Sequence, residues 1–246
     1  MLDLRGRRVV ISGASSGIGL ETARMLVSKG AEVCLTARRA DPIVAAAEDI
    51  GGGSWAWPCD VADPPSVSAL ATEVRSRWGS VDGLVNNAGV APMARLDETS
   101  IEVWDEAFAI NVRGPFILCR EFGSMLHETS SPAVVNVSST LAERAIQGMA
   151  AYNASKAALN QLTRSLALEW APKVRVNAVM PAVVDTPIHA TRGLSSEQVE
   201  AMGEMHPMKR IGQPEDVAAM IVFLLSNASS WMTGTVIPVD GGILAG

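Results

Sequence analysis

The sequence lacks the features that mark membrane-spanning and nucleic-acid-binding chains. Its longest uninterrupted apolar run, at 217–225, is far shorter than the roughly 20 residues that cross a bilayer. No apolar signal segment precedes the first predicted strand, so we expect a cytoplasmic protein. The net charge of −6 provides no basic excess for binding nucleic acid or an acidic membrane surface.

Cysteine and tyrosine are scarce as well. The three cysteines, Cys34, Cys59 and Cys119, are odd in number and far apart, which argues against a disulfide framework and a cysteine metal site. We expect three buried, reduced thiols and no bound metal. Tyr152 is the only tyrosine in the chain.

What the sequence does contain is an alternation of strand and helix patterns. Its 246 residues, 48% of them hydrophobic, suffice for one large α/β domain. Apolar runs and turn residues predict strands at 8–12, 32–36, 54–58, 83–86, 133–137, 174–179 and 235–239. Helical periodicity predicts helices at 20–29, 42–49, 65–78, 101–127, 151–170 and 215–225, with Gly114-Pro115 as a candidate division of the long pattern. We therefore predict one domain, 1–246, with a parallel sheet covered on both faces.

The stretch SGASSGIG, residues 12–19, allows two interpretations. Its middle fits the G-x-S-x-G nucleophile elbow of hydrolases, with Ser15 as nucleophile. As a whole it is a glycine-rich turn that lays backbone N–H groups and a helix N-terminus against a phosphate. The elbow needs a late histidine base, but we expect His127 at a helix end and His189 and His206 at the surface. The phosphate interpretation is favoured.

The segment YNASK, residues 152–156, places Tyr152 and Lys156 on one face of a predicted helix. A free phenol has a pKa near ~10, and an ammonium one turn away favours the phenolate and lowers that pKa. Such a group suits general acid–base catalysis. Ser139 follows the fifth predicted strand, where its hydroxyl would be displayed at the carboxyl edge of the sheet.

Together these motifs resemble the classical short-chain dehydrogenase/reductase family over essentially the whole chain. The matching pieces, in order, are SGASSGIG (12–19), CDV (59–61), NNAG (86–89), Asn111, VSS (137–139), YNASK (152–156), PAVVDTP (181–187), RIGQPEDVA (210–218) and TGTVIPVDGG (233–242). The resemblance implies an oxidoreductase with a single-domain Rossmann-type fold, a doubly wound parallel sheet with helices on both faces, that binds a nicotinamide dinucleotide.

The resemblance also implies the residues of the site. The catalytic set would be Asn111, Ser139, Tyr152 and Lys156. Tyr152 would exchange a proton with the reacting oxygen, and Ser139 would hydrogen-bond the same oxygen. Lys156 would hold the nicotinamide ribose, and Asn111 would anchor a water of the proton relay. The expected cofactor-binding residues are Gly13, Ser15, Ser16, Gly17, Ile18, Gly19, Arg38, Asp60, Val61, Asn87, Ala88, Gly89, Tyr152, Lys156, Pro181, Val184 and Thr186.

Cofactor choice is expected at the end of the second strand, in TARR (36–39). NAD-preferring relatives usually carry an acidic residue here for the ribose 2′-hydroxyl, but Ala37 takes that position. Arg38 follows with a planar guanidinium that suits a 2′-phosphate. We expect NADP(H) to be favoured, with NAD(H) as the alternative if Arg38 only stacks on the adenine.

The substrate pocket is expected in the loops after the fourth, fifth and sixth strands. The residues expected to contact substrate are Ser139, Leu141, Gln147, Tyr152, Ala182 and Met202. The segment 185–210 is methionine-rich and resembles a mobile lid, which favours an apolar or cyclic ketone or secondary alcohol. Three alternatives remain: a 3-oxoacyl-thioester reductase, an NAD-linked secondary-alcohol dehydrogenase, and a non-catalytic dinucleotide-binding sensor or scaffold.

Two further expectations concern backbone and assembly. Ala182 and Ala142 stand where the family commonly has glycine, so a positive φ at Ala182 would impose strain there. Relatives of this length are usually homotetramers, and the apolar stretches 104–119 and 159–170 suit helices that pack between subunits.

Overall fold

Seven parallel strands form one sheet in the order β3–β2–β1–β4–β5–β6–β7. The computed structural model describes residues 3–245 of the chain. The strands are β1 (Arg8–Ser12), β2 (Glu32–Ala37), β3 (Trp55–Pro58), β4 (Gly83–Asn86), β5 (Ala133–Val137), β6 (Arg175–Pro181) and β7 (Val236–Val239). The strand order reverses between β1 and β4, which is where open α/β sheets bind ligands. The predicted doubly wound fold is confirmed.

Helices connect the strands. They are α1 (Gly17–Ser28), α2 (Ala40–Ile50), α3 (Pro64–Trp78), α4 (Ile101–Phe108), α5 (Gly114–His127), α6 (Ala150–Trp170), α7 (Ser196–Ala201) and α8 (Pro214–Leu225). Short 3₁₀ turns at Thr140–Ala142, Pro187–Arg192 and Met202–Met205 border the region described below as the cleft. Within residues 3–245, no helix combines the length and apolar composition needed to cross a membrane.

The strands separate two apolar core layers. In β1, Val9 and Ile11 pack into one layer and Val10 into the other, as the two-residue period of a strand requires. The first layer also contains buried residues of α1, α2 and α8, and the second contains those of α3, α5 and α6. The strands, whose apolar runs are nearly continuous in the sequence, are therefore covered on both faces.

All three cysteines are buried in the second core layer, as predicted. Burial raises the pKa of the Cys34 and Cys59 thiols and raises the pKa of Cys119 to about 12. The native thiols are thus protonated and shielded from solvent.

The long helical pattern at 101–127 is divided, but by a π-helical turn at Ala109–Arg113 that ends directly before the predicted Gly114-Pro115 break. The segment 185–210 is more regular than expected, because it contains α7 between two 3₁₀ turns. Helix α7 begins with a capping box in which Ser195 Oγ accepts from Gln198 N and Gln198 Oε1 accepts from Ser195 N. The S-x-x-Q spacing in the sequence is the signal for this helix.

Candidate active site

The carboxyl ends of the strands open into a cleft of about 1060 Å³. The loops after β1 to β6 supply most of its walls, and Ile243 from the C-terminal segment contributes as well. Pockets for a single small ligand usually measure ~300–1,000 Å³. This cleft is therefore slightly larger than the usual pocket for one small ligand.

The turn between β1 and α1 is shaped by three glycines. Gly13 and Gly17 have positive φ angles of 66° and 54°, and a Cβ on Gly13 would lie 2.7 Å from the Cα of Ala88. A Cβ on Gly17 would lie 2.9 Å from the Cγ2 of Thr186. Gly19 does not line the cleft: a Cβ there would lie 2.5 Å from the Nδ2 of Asn87, so its role is close packing.

The first turn of α1 suits a phosphate group. Its N-cap residue, Ser16, makes no side-chain capping bond, and the turn contains no acidic residue. The backbone N–H groups that begin the helix therefore need an external acceptor, and the helix dipole favours an anion there. Ser15, Ser16, Gly17 and Ile18, which we expect to contact the cofactor, all line the cleft.

A hydrogen-bonded brace holds this turn against the loop after β4. Ser12 Oγ accepts from the backbone N of Asn87 and of Ala88, both at 3.1 Å. Asn87 Nδ2 donates to Ser12 O at 3.0 Å and to Gly13 O at 2.9 Å. Asn87, Ala88 and Gly89 line the cleft, so the brace fixes two of its walls together.

Ala37, Arg38 and Arg39 line the cleft at the end of β2, near Asp60 and Val61. Asp60 Oδ1 accepts from Ala62 N at 2.9 Å, which holds the loop after β3 in place. Within residues 3–245, no carboxylate lies within ion-pair distance of Arg38 or Arg39. Arg39 is not among the predicted cofactor residues, although it directly follows Arg38 in the TARR motif.

Ser139, Tyr152 and Lys156 line the same cleft. Ser139 lies just beyond β5, and its Oγ accepts from Leu141 N at 3.1 Å, which starts the 3₁₀ turn. On α6, Lys156 Nζ lies 5.8 Å from the ring centroid of Tyr152 and donates to Val137 O at 2.8 Å. Desolvation lowers the pKa of Lys156 to about 8.

Asn111 is fully buried and does not itself line the cleft. From the π-helical turn, its Oδ1 accepts from Val90 N at 3.0 Å and its Nδ2 donates to Val90 O at 2.9 Å. The Nδ2 also donates to Ser155 Oγ at 3.0 Å, and Ser155 Oγ donates to Tyr152 O at 2.8 Å. The Asn111 side chain thus joins the loop after β4 to the helix that carries Tyr152.

Comparison with known proteins agrees with this geometry. A family model described as enoyl-(acyl carrier protein) reductase matches residues 13–244. D-threitol dehydrogenase of Mycolicibacterium smegmatis is 36% identical over 97% of this chain and 93% of its own length. Cis-4-hydroxycyclohexanecarboxylate dehydrogenase of Sinomonas cyclohexanicum is 38% identical over 97% of both chains. The chain belongs to the short-chain dehydrogenase/reductase family.

A solved structure from Beutenbergia cavernae, provisionally named an NAD(P)-dependent gluconate 5-dehydrogenase and holding NADP at low occupancy, is 37% identical. It superimposes with a TM-score of 0.93 and covers 99% of both chains. The protein described here is accordingly a short-chain dehydrogenase/reductase that acts on CH–OH donors with an NAD(P) cofactor.

The substrate end of this short-chain dehydrogenase/reductase agrees with the sequence prediction in part. Leu141, Ala182 and Met202 line the cleft, as do the expected cofactor residues Pro181, Val184 and Thr186. Gln147 is exposed and does not line the cleft, whereas Arg144 and Ile146 from the same loop do. Which side chains of an irregular loop face the cleft depends on the turns of that loop, and these turns leave no periodic pattern in the sequence. Other wall residues that the sequence did not single out are Val103, Glu106, Ile110, Ile188, Leu194 and Ile243.

One expectation about this end of the molecule is wrong, and the condition for strain at Ala182 is not met. His189 is 7% exposed and His206 is 2% exposed, so both are buried. Each ring forms a hydrogen bond with a backbone carbonyl of its own loop, which satisfies one ring nitrogen away from water. His189 Nε2 lies 2.8 Å from Val184 O, and His206 Nδ1 lies 3.0 Å from Met202 O. The strain considered at Ala182 is absent, since Lys209 is the one non-glycine residue with positive φ in the part of the chain that the structure describes.

Proposed function

We propose that this protein interconverts a ketone and a secondary alcohol, with NADP(H) preferred over NAD(H). One observation supports the reaction above all: the phenol of Tyr152, the ammonium of Lys156 and the hydroxyl of Ser139 line one cleft that the glycine-rich turn also lines. A non-catalytic sensor or scaffold would not need this combination of side chains.

The proposed role of each residue is the one that the family resemblance implies, and the placement of Tyr152, Lys156 and Ser139 in one cleft supports it. When bound, the nicotinamide ring would supply or accept the hydride. Tyr152 gives a proton to the carbonyl oxygen in reduction and takes it back in oxidation. Lys156, with Nζ 5.8 Å from the Tyr152 ring centroid, favours the phenolate and would hold the nicotinamide ribose when the cofactor is bound. Ser139 Oγ hydrogen-bonds the reacting oxygen, and Asn111 positions the helix and loop around them.

The preference for NADP(H) rests on the end of β2. Ala37 provides no carboxylate for a ribose 2′-hydroxyl, and Arg38 and Arg39 both line the cleft without an acidic partner within ion-pair distance among residues 3–245. Two guanidinium groups with no carboxylate within ion-pair distance suit a phosphate dianion.

The proposed substrate is apolar or cyclic. The substrate end of the cleft is walled by side chains such as Leu141, Ile146, Met149 and Met202. A relative that acts on a hydroxycyclohexane ring supports this class, while the similarly related threitol dehydrogenase represents the polyol alternative. The family description that mentions acyl carrier protein makes a 3-oxoacyl-thioester reductase the second candidate.

Assembly and compartment are also part of the proposal. We propose a homotetramer, because Trp104, Phe116 and Leu168 expose apolar side chains on α4, α5 and α6. We propose a cytoplasmic location because the three buried cysteines are unpaired, as thiols are in a reducing compartment.

The experiment that tests the function compares wild type with Tyr152→Phe on a panel of ketones, together with titrations of NADPH and NADH followed by nicotinamide fluorescence. We expect Tyr152→Phe to lose about 10²–10⁴-fold in kcat, because the proton donor is removed, with NADPH affinity preserved. We expect Arg38→Ala to weaken NADPH binding and leave NADH binding nearly unchanged. Near-normal turnover by Tyr152→Phe would contradict the mechanism, and tighter binding of NADH by wild type would contradict the cofactor preference.

A further inference from the structure

Glu106 and Arg144 interrupt an otherwise largely apolar lining at the substrate end of the cleft. Glu106 comes from α4, and Arg144 follows the 3₁₀ turn at Thr140–Ala142. The other ionisable side chains in the lining are two arginines, an aspartate and the buried thiol of Cys59 at the end where the adenosine is expected, Lys156 and Tyr152 beside the reacting atoms, and the buried imidazole of His189.

The backbone holds Arg144 at a defined place relative to the catalytic serine. Arg144 N donates to Thr140 O at 2.9 Å, and Thr140 directly follows Ser139. Further along the same loop, Ala94 N donates to Gly148 O at 2.9 Å, and Asn153 Nδ2 donates to Ile146 O at 3.4 Å. The loop that presents Arg144 is therefore tied to the loop after β4 and to α6.

The guanidinium of Arg144 has no acidic partner within residues 3–245, and among the described arginines without one, only Arg38, Arg39 and Arg144 line the cleft. Glu106, which lines the same cleft, is not within ion-pair distance of Arg144. A guanidinium presents five N–H donors in a fixed fork that matches the two oxygens of a carboxylate. At the edge of an apolar wall, this donor set suits a substrate that is apolar along most of its length and anionic at one end.

We propose that Arg144 binds the carboxylate of the substrate, so that the preferred substrates are hydroxy or keto acids with an apolar body between the carboxylate and the reacting carbon. This inference rests on the proposed function and names the substrate class for the same cleft. Glu106 has the opposite effect on such a substrate, because its charge disfavours an anion. The phosphates of a coenzyme A thioester offer the same anionic chemistry, and the experiment below separates the two sources.

The test compares two ketones of nearly the same shape, 4-oxocyclohexanecarboxylate and its neutral carboxamide, in reduction with NADPH. We expect wild type to favour the carboxylate, and Arg144→Gln to lower the carboxylate-to-carboxamide ratio of kcat/KM about tenfold, mainly through KM. Glu106→Gln should raise that ratio. Arg144→Lys should retain part of it, since the charge remains and the fork is lost.

Arg95→Gln is the matched control. Arg95 is exposed, pairs with Asp97 at 3.4 Å and does not line the cleft, so its substitution removes one positive charge without touching the site. An equal fall of the ratio in Arg95→Gln and Arg144→Gln would overturn the proposal in favour of a general field effect. An unchanged ratio in Arg144→Gln would overturn it outright.

Calorimetry on the Tyr152→Phe protein with NADPH bound distinguishes failure of this inference from failure of the proposed function. If the carboxylate binds more tightly than the carboxamide, and adding Arg144→Gln removes the difference, Arg144 recognises the carboxylate even if wild type reduces neither ketone. If acetoacetyl-coenzyme A, and not the ring carboxylate, depends on Arg144, the anion is a phosphate and the proposed substrate class is wrong.

Discussion

Lys156 is 4% exposed, so its ammonium is almost excluded from solvent, and it donates a hydrogen bond to Val137 O. Burial lowers its pKa from the usual 10.5 to about 8. Between these two values the unfolded chain binds more protons than the folded one, so the free energy of unfolding rises with pH across this window. Below about pH 8 both states are protonated, and burying the charge costs the fold about 3 kcal/mol.

We therefore predict that Lys156→Met changes the pH dependence of stability in the cofactor-free protein. The free energy of unfolding of the variant minus that of wild type should fall by roughly 2 kcal/mol between pH 7 and pH 10, because wild type alone is relieved of a buried charge as pH rises. Urea unfolding at several pH values measures this difference. Lys173→Met, which removes an exposed lysine, should show no such trend. If the difference in the free energy of unfolding between Lys156→Met and wild type did not change with pH, the ammonium of Lys156 would have to be solvated.

Single residues also show where sequence interpretation stops. Tyr152, Lys156 and Ser139 are predictable because their chemistry and spacing are specific, and the structure brings them to one cleft. The sequence favours Gln147 over Arg144 as a pocket residue, but Arg144 is the residue that lines the cleft. Its position is set by a 3₁₀ turn and by the hydrogen bond from Arg144 N to Thr140 O. Neither has a periodic signature.

At the scale of elements, the turn between β1 and α1 needs glycine at position 17 for two reasons: the backbone has a positive φ, and the loop after β6 lies very close. Gly17 has φ of 54°, and a Cβ there would meet the Thr186 methyl at 2.9 Å. Gly6 has φ of 72°, and a Cβ there would meet no atom within 4 Å. Both glycines therefore have a positive φ that disfavours any other residue, but of the two only Gly17 leaves no space for a Cβ.

We predict that Gly17→Ala and Gly6→Ala each lose about 1 kcal/mol of stability, because alanine disfavours positive φ. Gly17→Ala should in addition weaken NADPH binding at least about tenfold, since the turn and Thr186 must move apart where both line the cleft. Fluorescence titration gives the affinities and urea unfolding gives the stabilities. Equal NADPH affinity in the two variants would show that the contact with Thr186 does not shape the phosphate site.

Elements are predictable in proportion to the regularity of their patterns. The predicted bounds of β1, β4 and β5 are correct to the residue, because short apolar runs end at glycine or polar turns. The helical pattern at 101–127 is evident in the sequence, but its π-helical turn is not, because that turn depends on the hydrogen bonds of buried Asn111 with Val90 and Ser155. The short helix α7 is stabilised locally by its capping box and escapes prediction because it has no long amphipathic pattern.

At the scale of the whole molecule, exposed apolar side chains on α4, α5 and α6 bear on assembly. Leu168 on α6 is 83% exposed, and Leu96 in the loop before α4 is 77% exposed, so the two leucines are matched in exposure but differ in location. Of the two leucines, only Leu168 lies in the apolar stretches 104–119 and 159–170 that we propose to pack between subunits. Exposure alone does not distinguish them.

We predict a particle mass of about four times the 25.9 kDa of the chain. Leu168→Glu should lower that mass, because a charge buried between subunits is costly, and Leu96→Glu should leave it unchanged. Size-exclusion chromatography with light scattering measures both variants at several concentrations. A wild-type mass of 25.9 kDa, or an unaltered mass for Leu168→Glu, would contradict the proposed packing.

The arrangement of the three thiols has a consequence for following the protein in solution. Cys34, Cys59 and Cys119 all lie in the core layer beneath α3, α5 and α6, and the layer beneath α1, α2 and α8 contains none of them. A thiol-reactive dye can label them only when that half of the molecule opens. The rate of labelling would therefore measure local opening on the side of the sheet that carries α3, α5 and α6, and it would not respond to opening on the opposite side. Cys59 also borders the cleft, so NADPH that binds there and stabilises the closed protein should slow the labelling of that thiol.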